Sequence, residues 1–188
     1  MFYKKHGIET ENKISVQRPF RVFIDSTYIF PALNVDIIEG WNKKDLNKLI
    51  SKVKSGEILL YYCDLSLFEL YTKCMRLINQ HVLNVSISSI QEGLDGIINC
   101  PDLQKIDWYN HNYDSNFVLN LKAIHNDSID CQIFYLAVLL GQCFATFDST
   151  FIRRIKETPR ILDYIRDINP NFMIWSGNLK GGYKRLLD

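Results

Sequence analysis

The chain has 188 residues, 47% of them hydrophobic and 23% charged, and 22 basic against 21 acidic side chains leave a formal net charge of +1. This length suits one domain with a substantial core. The composition is that of an ordinary globular protein, without repeats or low-complexity tracts, and the near-neutral balance leaves nucleic-acid binding open, although dedicated binders are often more basic.

Residues 1–20 read as an N-terminal arm. Its basic opening lacks an apolar h-region, so it is not a secretory signal. The run 21-RVFID-25 reads as a buried strand ending in an acid, followed by a helix start, STYIFPAL, broken at Pro31. In 43–55, apolar residues at 46, 49, 50 and 53 keep a helical period, and Gly56 suits a C-cap. A strand is expected at 57–63 and an amphipathic helix at 66–80. A third helix, weakened by two glycines, spans 88–100. A moderate strand is expected at 103–109 and a helix at 115–126.

A buried helix is then expected over 128–140, stopped at Gly141, with a strand at 143–147. Residues 149–166 read as helix in two pieces divided at Pro159, and 172–175 as a late strand. Residues 176–188 read as a C-terminal tail. Strands alternating with helices predict an α/β fold, a three-layer α/β/α sandwich with a mainly parallel central sheet. In such sheets, sites form beyond the carboxyl ends of the strands.

Seventeen uncharged residues separate Asp130 from Asp148. A membrane span needs about twenty mainly apolar residues, and this run is interrupted by Gln132, Gly141, Gln142 and Thr146. It therefore reads as a buried helix, a turn and a strand. The five cysteines, at 63, 74, 100, 131 and 143, form no C-x-x-C pair. They read as reduced thiols of a cytoplasmic protein, not as a disulfide frame or zinc site. The four histidines, at 6, 81, 111 and 125, form no ligand pair at helical spacing.

Four acids fall where one edge of a parallel sheet would gather them. Asp25 and Asp148 are expected at strand ends. Glu69 and Asp130 are expected in the first turns of helices. Each alone also reads as a helix cap: Ser66-x-x-Glu69 resembles a capping box, and Asp127 is an expected N-cap and reserve ligand. Together they point elsewhere. Two carboxylates about 4 Å apart repel by roughly 4 kcal/mol at an effective dielectric near 20, and a hard divalent cation is the usual remedy.

These residues resemble the PIN domain, the nuclease fold of VapC-type toxins and related RNA-processing proteins. Four blocks carry the resemblance: 22-VFIDST-27; Glu69 in 65-LSLFEL-70; Asp130 with Ala137 and Gly141 on the buried helix; and Thr146-x-Asp148. The following 149-STFIRRI-155 is similar to the family's short next helix. The likeness covers about 21–155, with 156–175 as the closing helix and strand. Thr27 stands where the family more often has Asn or Ser.

The resemblance implies a ribonuclease in which Asp25, Glu69, Asp130 and Asp148 hold Mg²⁺ or Mn²⁺ and hydrolyse RNA phosphodiester bonds. Thr27, Thr146 and Ser149 would support the ligands or orient water. Arg153 and Arg154, with Lys156 and Arg160 beyond them, would meet phosphates, or simply form a solvated helix face. It also implies single-stranded RNA as substrate, an antitoxin or complex partner, and a homodimer. The rival is a PIN-like binding module with little catalysis. A haloacid-dehalogenase-like phosphatase is excluded because it wants a second Asp at position 27. A phospho-receiver is excluded because 143–151 offers no lysine.

Overall fold

A computed structural model describes residues 19–33, 43–82, 85–111, 114–175 and 183–185. Most of the expected arm lies outside these, but Phe20 already belongs to the first strand. The elements in order are β1 (Phe20–Ile24), α1 (Ser26–Ile29), a 3-10 turn (Phe30–Leu33), α2 (Lys43–Lys54), β2 (Ile58–Cys63), α3 (Asp64–Asn79) and α4 (Ile87–Ile98). Then come β3 (Gln104–Ile106), a second 3-10 turn (Trp108–Asn110), α5 (Ser115–Ile124), α6 (Ser128–Leu140), β4 (Cys143–Ala145), α7 (Ser149–Lys156), α8 (Pro159–Ile168), β5 (Met173–Trp175) and β6 (Tyr183–Arg185).

The sheet order is β3-β2-β1-β4-β5-β6. The first five strands are parallel, and β6 runs antiparallel to β5. The α/β three-layer sandwich expected from the sequence is the observed architecture. Side-chain alternation along the strands divides the core in two. Phe23, Cys63, Phe144 and Ile174 face α5, α6, α7 and α8. Val22, Ile24, Leu60, Tyr62, Cys143, Ala145 and Trp175 face α1, α2, α3 and α4.

Helix α6 has seven of its thirteen residues buried, because it lies under α5 and α8 as well as against the sheet. That multiple burial explains its apolar run from Ile133 to Leu140. Gly141 ends it as expected, but for steric reasons: a Cβ there would stand 2.7 Å from the Ala137 carbonyl oxygen. Gly56 follows α2 at φ +75°, the left-handed conformation a glycine C-cap supplies. Among the described residues no helix is long and apolar enough to cross a membrane. All five cysteines are free, and four are buried.

The main departures concern element ends. Strand 103–109 is shorter than expected, giving way to the 3-10 turn at Trp108. Helix α3 begins at Asp64, directly after β2, so Glu69 lies in its second turn and Ser66 is not its cap. Strand β4 stops at Ala145, three residues before Asp148. The ladder ends there because the Phe147 N–H turns to Thr27 Oγ1 (3.3 Å) and the Ser149 N–H to the Phe147 carbonyl (2.9 Å). Strand β6 lies within the expected tail.

From β1 the chain builds outward through β2 to β3, then returns to place β4 and β5 on the other side. The reversal makes the carboxyl ends of β1 and β4 the crevice where open α/β sheets hold ligands.

Candidate functional site

Asp25 follows directly on β1, and register makes Thr146, the residue just after β4, its neighbour, since Ile24 pairs with Ala145. Although Asp25 occupies the N-cap position of α1, its side chain caps nothing. Instead Asp25 Oδ2 accepts from Thr27 Oγ1 (2.7 Å) and Thr146 Oγ1 (2.8 Å), and Oδ1 from Ser26 Oγ at a long 3.4 Å. Thr146 Oγ1 in turn accepts the Asp148 N–H at 3.0 Å. The two threonines thus orient the first acid and tie it to the segment carrying the last.

Glu69 reaches the same point from α3. It is 3% exposed. Its Oε1 is bonded by the ammonium of Lys73, one helical turn on. Its Oε2 is buried without a close hydrogen-bond partner, an unusual condition for a carboxylate oxygen, and the Ser26 hydroxyl favours the charged carboxylate only weakly. Asp130 enters from the first turn of α6, whose cap is Asp127, accepting from the Ile129 N–H (2.9 Å) and the Asp130 N–H (3.4 Å). Asp127 is therefore committed to capping, as expected. Asp130 Oδ2 lies 2.8 Å from His125 Nε2, and the His125 ring stacks on Phe151 with centroids 4.3 Å apart. Asp148 caps α7 through the Phe151 N–H at 2.7 Å.

The four acids form two overlapping groups. Ligand atoms of Asp25, Glu69 and Asp130 lie within 4.8 Å of one another, as do those of His125, Asp130 and Asp148. Asp130 belongs to both. Asp148 joins the site through Asp130 and His125, while its cap bond leaves its second oxygen for other partners. Ser149 is exposed on the first turn of α7, and its backbone N–H bonds Phe147. Arg153 is exposed. Arg154 Nη1 donates to the Ile124 carbonyl (2.9 Å), which places it at the C-terminus of α5 beside His125.

Two participants escaped the sequence reading. Lys73 stands at i+4 from Glu69, a spacing that signals an ion pair on any helix. His125 precedes the cap of α6, and only the bend between α5 and α6 returns it to Asp130. No sequence period marks that return.

The electrostatics follow from packing like charges in a buried place. Burial pushes Asp25 above the ordinary carboxylate range, against the hydrogen bonds of Thr27 and Thr146. Burial also raises Glu69; the Lys73 charge opposes this and the Asp25 charge adds to it. Asp130 is pushed up to about 8, by burial first and then by Asp25 and Glu69. Burial disfavours the Lys73 ammonium, yet Glu69, Asp130 and Asp25 together carry its pKa above the usual value. His125 is lowered, chiefly by burial.

Among the described residues one lysine faces three carboxylates, so ionising all three would leave negative charge unanswered. The oxygen donors, the unpartnered Glu69 Oε2 and the shared Asp130 suit a hard divalent cation bound by a few carboxylates with water completing its shell. In the second group, with Asp130 and Asp148, His125 offers an imidazole nitrogen, a ligand that suits Mn²⁺ or a later transition metal better than Mg²⁺.

No family model matches the chain, and no curated protein matches it.

Proposed function

We propose that this chain is a metal-dependent ribonuclease that hydrolyses RNA phosphodiester bonds at the carboxyl edge of its sheet. The observation that carries this reading is the triad Asp25, Glu69 and Asp130, with ligand atoms mutually within 4.8 Å and one buried Glu69 oxygen unpartnered. A divalent ion held there would supply water of lowered pKa and offset charge on the phosphate.

The chain's own residues do the positioning. Thr27 and Thr146 fix the Asp25 carboxylate, as ligand-supporting hydroxyls do. Lys73 holds one Glu69 oxygen and leaves the other free for a ligand. His125 orients Asp130, and Arg154 brings a guanidinium to the rim, where a phosphate can meet it. The same Lys73 contact is the observation that favours the second reading, a binding module, because an ammonium already neutralises part of the cluster.

Cleavage of labelled single-stranded RNA with Mn²⁺ or Mg²⁺ tests the proposal. Wild type is expected to cut, and Asp25→Asn and Asp130→Asn to lose at least about a hundredfold in rate, the scale on which removing a key charged group acts. Chelator should abolish cutting. Activity that survives either variant or the chelator would remove the proposal. A protein that binds Mn²⁺ and cuts no RNA would favour the binding module.

A further inference from the structure

Among the described residues, the large aromatics that stand exposed are Phe68 (63%), Tyr71 (47%), Trp108 (42%) and Tyr109 (65%). Two stand on α3 and two on the second 3-10 turn. Phe68 and Tyr71 lie four and seven residues after Asp64 on α3, which places all three on one stripe of the helix. Asp64 Oδ1 accepts the Trp108 N–H at 3.1 Å, so the 3-10 turn bearing Trp108 and Tyr109 is tied to the start of that stripe. Trp108 and Tyr109 meet edge to face, with centroids 6.4 Å apart and planes at 88°.

The location matters as much as the exposure. The turn follows β3 at the same carboxyl edge as the acid triad. β3 is two strands from β1, a lateral distance of roughly 10 Å. Aromatics that only fill a core are covered; these stand exposed, Trp108 and Tyr109 at the carboxyl edge of the sheet, with Lys105, half exposed and paired with Asp107 at 2.9 Å, on the preceding strand.

We infer that Trp108 and Tyr109, with Phe68 and Tyr71 beside them, form a platform on which unpaired bases of a single-stranded RNA stack while its backbone enters the acid pocket. Every base has a π-face, so the platform accepts single strands with little sequence preference. It rests on the ribonuclease reading for its occupant and deepens it by assigning residues that hold the substrate.

The test measures binding without chemistry. Fluorescence anisotropy in chelator compares a short oligouridine with an abasic ribose-phosphate strand of equal length and charge. Wild type is expected to prefer the base-bearing strand by about tenfold, the effect of one stacked base. W108A/Y109A should bind both strands alike, and W108F/Y109F should keep most of the preference. The alanine variant retains the Trp108 backbone bond to Asp64, and its melting curve should match wild type. Equal binding of both strands by wild type, or an undiminished preference in W108A/Y109A, would overturn the inference. So would a concentration-dependent dimer abolished by W108A/Y109A without base preference, which would make the patch a protein contact. Base-dependent binding in a protein that never cuts RNA would remove the nuclease reading and leave the platform standing.

Discussion

Asp25 illustrates how a single residue can leave the role its position suggests. It has the extended backbone of an N-cap, yet its carboxylate is taken by Thr27 and Thr146. Thr146→Val keeps the shape and removes two bonds, one given to Asp25 and one taken from the Asp148 N–H. It should cost about 1–3 kcal/mol, read as a lower denaturation midpoint, and it should weaken Mn²⁺ binding as well. Lys73→Met should destabilise the metal-free protein at pH 8 by about 1–2 kcal/mol, less than breaking a fully buried pair, because a third of the Lys73 side chain, 33%, meets solvent. Added Mn²⁺ should restore most of that loss.

The acids also set a pH dependence. A carboxyl whose folded pKa is raised binds more protons folded than unfolded. Its stabilising contribution is full below the unfolded value and disappears as pH rises through the folded one. For Asp130 that window runs from its ordinary value of 3.8 to about 8, and Asp25 and Glu69 act in the same direction. Thermal melts of metal-free protein should show stability falling across this window, and Asp130→Asn should flatten the fall. A divalent cation should raise the midpoint more at pH 8 than at pH 5. Asp25 and Asp130 were legible as acids at a strand end and a helix start, whereas Glu69 was expected one turn too early in its helix. That Asp148 would join through His125 was not legible, because the contact depends on where β4 stops, and a bond between residues 120 apart in sequence decides that.

At the scale of elements, α4 shows two glycines with opposite meanings. A Cβ at Gly93 would stand 2.8 Å from the Leu33 Cα and 3.2 Å from the Ala32 carbonyl oxygen, whereas one at Gly96 would meet nothing within 4 Å. Gly93 allows the helix to lie directly on the 3-10 turn that follows α1, behind Asp25. Gly96→Ala should therefore stabilise by about 0.5–1 kcal/mol, the usual helix-propensity gain. Gly93→Ala should destabilise and shift the α1 region; chemical denaturation of the pair separates them. From sequence both glycines looked like the same weakness, since propensity does not reveal what a helix leans on. Most other element cores were legible from periodicity, as with Leu46, Leu49, Ile50 and Val53, all of which pack in one core layer. The antiparallel edge β6 was not, because three residues carry too little pattern.

For the whole molecule, the sheet order explains why the site lies where it does. The strands on either side of the reversal bring Asp25 and Thr146 level, while α3 and α6 descend from opposite layers with Glu69 and Asp130. Each core layer thus supplies one helix to the same crevice, and the acid cluster bridges them. A cation there would join the two layers as well as serve chemistry. Binding should then protect β1, α3 and α6 together from hydrogen exchange.

The central claim is that Asp25, Glu69 and Asp130 hold a divalent cation. Titration of metal-free protein with Mn²⁺, followed by electron paramagnetic resonance of the free ion, tests it most directly with wild type beside Glu69→Gln. Wild type should take up the ion stoichiometrically at the triad. Glu69→Gln should bind at least about tenfold more weakly, as loss of a ligand or its support does. Equal uptake by the two proteins, or none by wild type, would contradict the account.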